Sequence, residues 1–125
     1  MEPELRIGDA ARRLGVASHV LRHWEDVGVL VPRRTTAGYR IYDDELVRGG
    51  RLVQLCQRAG FTLREIAELS AADRAGRVGL VRTKRRQIAR EQQALDTADS
   101  YLAHILECRH PVVSKCPECA AFSQA

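Results

Sequence analysis

The sequence predicts a mainly α-helical chain: a small domain of short helices with a basic β-hairpin, then one long helix and a cysteine-rich tail. Three observations carry this expectation. Apolar residues recur at helical spacing in short segments stopped by Gly15, Gly28 and Gly60. Between them, Leu30 to Tyr42 reads as two extended pieces around a turn. Further on, Val81, Ile88, Leu95 and Leu102 repeat every seventh residue.

The elements follow in chain order. Ile7, Ala10, Ala11 and Leu14 share one helical face, and Gly15-Val16 breaks that helix. A second helix opens at Ser18, expected as its N-cap, and runs to about Asp26 before Gly28. Two short helices joined by a tight glycine-containing turn describe a helix-turn-helix. Pro32 then keeps Val31 extended, Thr35-Thr36-Ala37-Gly38 forms a turn, and Tyr39 to Tyr42 returns as the second arm of a wing. From residue 12 to residue 40, six arginines stand against only Glu25 and Asp26. A basic helix beside a basic ribbon can reach two parts of a duplex. Asp43-Asp44-Glu45 opens a third helix, expected to end near Ala59, its acids favourable at the N-terminal dipole. Thr62-Leu63-Arg64-Glu65 is a capping box for a fourth. Ala71 to Gly76 reads as a small-residue linker, and a helix from about Val78 to Glu107 would extend roughly 45 Å at 1.5 Å per residue. Its apolar seam is expected to be covered by a second copy of the chain. Trp24, Val16, Leu21, Leu52, Leu55, Phe61 and Ile66 are assigned to the core, with Cys56 as a buried small residue. The expected division is 1–76 for the winged domain, 77–107 for the dimerisation helix and 108–125 for the tail.

Composition narrows the function classes. The 125 residues are 45% hydrophobic and 29% charged, which suits one small folded domain with an extension. The net charge is +4, and of the 20 basic residues only Lys84 and Lys115 are lysine. Arginine favours bidentate contacts to phosphates and bases. No apolar run reaches membrane-spanning length, and the acidic N-terminus lacks a signal core, so a cytoplasmic location is expected. A chain this short, without a Ser/His/Asp or paired-carboxylate arrangement, is not expected to be an enzyme.

The ordered string Leu5-Arg6-Ile7-Gly8-Asp9-Ala10-Ala11, Leu14-Gly15-Val16, Leu21-Arg22-His23-Trp24-Glu25, Gly28, Leu30, Pro32, Gly38-Tyr39-Arg40-Ile41-Tyr42 and Ala59-Gly60-Phe61-Thr62-Leu63-Arg64-Glu65-Ile66 resembles MerR-family transcriptional regulators. The resemblance covers roughly residues 5–69, and the long helix extends it to about 107. Two departures are visible. His23-Trp24 stands where the family usually has two tyrosine-type aromatics, and Cys56 lies where alanine is frequent. The resemblance implies a homodimeric winged helix-turn-helix protein, joined through an antiparallel coiled coil, which binds a pseudo-palindromic promoter, distorts it and works with RNA polymerase. Carried over by position, Arg22 holds a phosphate; Ser18, His19 and His23 lie on the groove-facing side of that helix; Arg34, Tyr39 and Arg40 belong to the wing and clamp the backbone.

The tail carries different chemistry. Cys108, His110, Cys116 and Cys119 fall within twelve residues, with Cys116 and Cys119 in a C-x-x-C chelate spacing. Three thiolates and one imidazole suit tetrahedral Zn²⁺, while two thiolates alone suit linear Cu(I). The resemblance supports a metal loop, since copper-sensing members place two cysteines after the dimer helix. Zinc- and mercury-sensing members also use a cysteine near the start of that helix, and Ala72-Asp73-Arg74-Ala75 supplies none. An iron–sulfur cluster is less favoured, because the subgroup that holds one uses four cysteines. A second reading needs no metal: Cys116 and Cys119 pair when oxidised, with Lys115 lowering a thiol pKa. In a third, the tail has no sensing role. The leading expectation is a promoter-binding regulator that senses a metal ion or oxidant; the rival is a small metal-binding or thiol-redox protein whose winged domain mediates protein contacts.

Overall fold

Six helices and one hairpin make up the protein, seen in a computed structural model that describes residues 3–124. They are α1 (Ile7–Leu14), α2 (Ser18–Asp26), β1 (Arg33–Arg34), β2 (Arg40–Ile41), α3 (Asp44–Arg58), α4 (Leu63–Ala71), α5 (Arg74–Glu107) and α6 (Pro117–Phe122), with a 3₁₀ turn at Val113–Lys115. The described residues up to Leu80 form one compact unit and those from Val81 onward another.

In the first unit, α1 ends at Gly15 in the left-handed region (φ 69°), and the Val16 amide bonds back to the Ala11 carbonyl at 3.0 Å. That turn sends the chain directly into α2. The N-cap of α2 is Ala17 rather than Ser18, and no side chain caps it, so Ser18 is the first helical residue. The wing is shorter than the sequence expectation, pairing Arg33 with Ile41 and Arg34 with Arg40 in antiparallel register. Gly38, at φ 89°, closes its turn. Leu5 and Tyr42 exchange backbone hydrogen bonds of 2.6 and 2.8 Å, which fasten the N-terminal segment to the base of the wing.

The core of this unit gathers Ala10, Ala11, Leu14, Leu21, Trp24, Leu30, Tyr42, Val47, Val53 and Ile66. Each large apolar side chain removed from water contributes roughly 1.5–3 kcal/mol before entropic costs. Val16 and Phe61 pack at its edge together with Cys56, which is half-buried. Leu52 and Leu55 depart from the expected core, being 62% and 53% exposed. The reason is the choice of face on α3. Val47, Gly50 and Val53 turn inward, and Gly50 sits so close to α1 that an added Cβ would lie 2.7 Å from Leu14 Cδ1. Leu52 and Leu55 are carried to the opposite side of the helix. Gln54 Nε2 donates to the Leu14 carbonyl at 2.7 Å, which further fixes that crossing.

The capping signals are realised. The Asp43 side chain accepts from the Leu46 amide at 2.8 Å, and Thr62 and Glu65 form the reciprocal box at 3.1 and 2.9 Å. The linker after α4 shrinks to Ala72-Asp73, and α5 begins at Arg74 instead of near Val78. Asp73 Oδ1 accepts from the Gly76 amide at 2.8 Å, while the Arg77 amide bonds to the Asp73 carbonyl at 2.9 Å. This cap offsets part of the propensity cost, about 1 kcal/mol for each of Gly76 and Gly79.

The second unit holds the rest of α5, the 3₁₀ turn and α6. Val81, Leu95 and Leu102 of the seven-residue row are exposed, as is Leu106. The tail is not one loop. Pro117 at the first turn of α6 and Cys116 at its N-cap start a short helix, and Phe122 packs its ring 5.3 Å from that of Tyr101. No helix among the described residues is long and apolar enough to cross a membrane.

Candidate metal centre and nucleic-acid interface

The second unit brings together side chains widely separated in sequence. His104 and Cys108 are four residues apart, so the last turn of α5 places them on one face; the Cys108 amide still bonds to the His104 carbonyl at 2.8 Å. The 3₁₀ turn then returns the chain to that face. Cys116 caps α6, its sulfur accepting from the Cys119 amide at 3.5 Å, and Cys119 follows one helical turn on. One ligand atom from each of His104, Cys108, Cys116 and Cys119 lies within 4.8 Å of all the others. His104 Nε2 is 3.5 Å from Cys116 Sγ, and Cys119 Sγ is 4.0 Å from Cys108 Sγ. Cys116 and Cys119 are buried, and all four cysteines of the chain are free thiols.

His110, the histidine expected from the sequence, is exposed beside this group: its Nδ1 is 3.5 Å from Cys108 Sγ, outside the set of four. His104 was not singled out from the sequence, although its spacing of four residues from Cys108 within a helix was a visible signal. Glu118 was missed too. Its carboxylate lies 3.4 Å from His104 Nδ1, on the ring edge away from Cys116.

The two buried thiols are electrostatically unlike. The Cys116 thiol is lowered to about 6, chiefly because the Cys119 backbone N–H points at its sulfur, with help from His104. Lys115, expected to lower a thiol, is not among the causes. The Cys119 thiol is raised to about 12, first by burial and then by the neighbouring sulfurs. A polar cleft lined by His104, Cys108, His110, Cys116 and Glu118 lies over these groups. Three sulfurs and one imidazole nitrogen form a donor set that can hold one metal ion.

On the first unit, α2 presents His19, Arg22 and His23 to solvent, with Ser18 half-buried at its start. Arg22 makes no hydrogen bond or ion pair with the described residues. The wing arginines are otherwise. Arg40 Nε donates to Glu25 Oε2 at 3.2 Å, Arg34 donates to the same oxygen at 3.1 Å, and Arg34 also holds the Gly38 carbonyl at 2.9 Å. Glu25 thus clamps the wing to α2, a role its sequence position does not announce. Tyr39 is exposed, with the Arg6 guanidinium 4.4 Å from its ring centroid.

Residues 5–73 match the family described as MerR HTH family regulatory protein. The chain belongs to the MerR family. The "HTH-type transcriptional regulator HmrR" of Rhizobium leguminosarum bv. viciae is 31% identical over 112 residues, covering 85% of this chain and 87% of the relative. The "Mercuric resistance operon regulatory protein" of Bacillus cereus is 37% identical over 67 residues, which is 53% of this chain and 51% of that one. In three dimensions the chain resembles HiNmlR, a MerR-family regulator lacking the sensor domain, bound to promoter DNA. The TM-score is 0.64 at 24% identity, over 84% of this chain and 92% of that one. This MerR-family protein is therefore a transcription regulator and not an enzyme, with relatives named for heavy-metal-dependent regulation and mercuric resistance and a Cys/His cluster of its own able to take a metal.

Proposed function

We propose that the protein binds a pseudo-palindromic promoter as a homodimer and distorts it when the tail takes up a metal ion. The observation that carries this reading is the convergence of three thiols and one imidazole at the end of α5. The proposal gives residues 1–76 to DNA, 77–107 to dimerisation and 108–125 to sensing, in the cytoplasm. α2 with His19, Arg22 and His23 faces a groove, and the wing with Arg34, Tyr39 and Arg40 flanks it. The exposed row Val81, Leu95 and Leu102 supports pairing with a second copy. Promoter DNA is the partner named for HiNmlR, and RNA polymerase follows from the family. A metal that favours one of two protein states by 1.4 kcal/mol shifts their ratio about tenfold, and DNA bending converts that shift into promoter geometry. Zn²⁺ is favoured over Cu(I) here, since four donors converge where a linear site needs two. An iron–sulfur cluster ranks below both.

Thiol oxidation is the second reading, favoured by the 4.0 Å approach of the Cys108 and Cys119 sulfurs. One experiment separates the two. A duplex selected in vitro is bound and transcribed with Zn²⁺, Cu(I) or a disulfide-forming oxidant, using wild type and the double variant Cys108→Ser/Cys116→Ser. The expected result is a metal response lost in the double variant with duplex binding retained. A folded double variant that no longer binds DNA would refute the division into reader and sensor; a response to oxidant alone would install the second reading.

A further inference from the structure

We infer that His104 is the fourth ligand of a mononuclear, tetrahedral Cys₃His centre for a divalent ion of the Zn²⁺ class, closed within one protomer, and that Glu118 is the positioning residue that orients it. The inference rests on the metal-responsive reading and deepens it by naming the ligand set and the coordination.

Zinc bonds of about 2.3 Å to sulfur and about 2.0–2.1 Å to nitrogen, arranged tetrahedrally, place two sulfurs roughly 3.8 Å apart and a sulfur and a nitrogen roughly 3.6 Å apart. Cys108 and Cys119 stand at 4.0 Å, and Cys116 and His104 Nε2 at 3.5 Å. The remaining separations stay within 4.8 Å, so side-chain adjustment on the order of 1 Å closes the sphere. A linear two-thiolate site would need its other donors held clear of the ion, whereas here two further donors already point at the same space.

The surroundings of the His104 ring point the same way. A metal-binding histidine normally donates its remote ring N–H to a carboxylate, a backbone carbonyl or water, which sets the tautomer and leaves the other nitrogen bare for the ion. His104 has that arrangement: Nδ1 faces Glu118 at 3.4 Å while Nε2 faces Cys116. Glu118 comes from the same C-P-E-C turn that supplies two sulfurs, so closing the turn installs the ligands and their orienting group together. His110 has no such second partner among the described residues; its Nδ1 approaches one sulfur from the exposed side. Because His104 lies on α5 and the thiols of α6 lie beyond the 3₁₀ turn, the bound ion ties the end of the long helix to the tail.

The test uses full-length protein, reduced, stripped of metal and titrated anaerobically with Co²⁺, then displaced by Zn²⁺. Expected is one Co²⁺ per chain with the visible ligand-field bands of a four-coordinate, thiolate-rich site. His104→Ala should weaken binding by about 100-fold or more and alter those bands, and Glu118→Ala should weaken it by about 10–100-fold, with partial recovery in Glu118→Gln, which keeps an acceptor oxygen. His110→Ala should match wild type. Ring ¹⁵N resonances of the Zn²⁺-loaded wild type should place the proton of His104 on Nδ1, a readout independent of whether a variant packs its tail correctly. Wild-type affinity and spectrum in His104→Ala, or their loss in His110→Ala, overturns the inference while leaving a metal-responsive tail intact. Failure of wild type to take up either ion overturns both.

Discussion

Arg22→Ala should change how DNA binding depends on salt while leaving the fold alone. Arg22 is exposed on α2 and unpaired with the described residues, so its full charge is available to a phosphate. Each phosphate neutralised on B-DNA contributes about 0.9 to the slope of log affinity against log salt. The proposed dimer carries two copies, so the variant should lose about 1.8 from that slope. Between 50 and 200 mM salt, wild-type affinity should then fall about 12-fold more than that of the variant. Stability should move by less than about 0.5 kcal/mol, as for other exposed surface positions. Arg40→Ala gives the contrast. Its guanidinium is three-quarters covered and spent on Glu25, whose side chain is 15% exposed, so removal should cost about 1 kcal/mol in urea unfolding and reduce the slope by less. Fluorescence anisotropy on any duplex of about 30 base pairs suffices, because this electrostatic part of binding does not depend on sequence. An unchanged slope in folded Arg22→Ala would remove α2 from the DNA-facing side.

Further expectations concern the core and the thiols. The Tyr42 hydroxyl is buried without a hydrogen-bond partner among the described residues, so Tyr42→Phe should stabilise the protein by up to about 1 kcal/mol in thermal unfolding; a loss of that size would mean that the hydroxyl is satisfied after all. Burial, followed by Glu25, raises the Tyr42 phenol above its ordinary value of 10.0, so its neutral-form stabilisation is complete below pH 10 and disappears as pH rises through the raised value. Tyr42→Phe should lack that alkaline limb. Gly50→Ala should destabilise by about 1 kcal/mol, the crowding of Leu14 exceeding the gain in helix propensity, whereas Gly8→Ala, with open space around it, should gain about 0.5 kcal/mol; equal stabilities would show that Leu14 yields freely. In metal-stripped, reduced protein, thiolate absorbance near 240 nm should reveal one group titrating near pH 6, that of Cys116. Its stabilisation of the tail is present above the ordinary thiol range and is lost as pH falls through about 6. Titration of every thiol near 9 would refute the backbone cap as its cause.

What is readable along the chain is what neighbouring residues decide. Gly15 ending α1, the Thr62–Glu65 box and the turn before Gly38 each involve groups no more than a few positions apart, and their local geometry follows from residue type. The arginine-rich wing and the cysteines of the tail were legible for the same reason. α3 shows where that legibility stops: it carries two apolar rows, and the larger side chains, Leu52 and Leu55, suggested the wrong one. Only the approach of Leu14 from α1, which leaves room for no Cβ at Gly50, selects the inner face. The Cys/His cluster repeats the lesson. His110, two residues from Cys108, is the neighbour in sequence, but a helix brings its i+4 partner onto the same face, so His104 meets the returning thiols instead. The pairs Arg6–Tyr39, Glu25–Arg40 and His104–Glu118 likewise arise only when the chain folds back on itself. Local backbone preference is written residue by residue; which distant groups share a few ångströms of space is settled by packing, and here that packing decides which histidine joins the thiols.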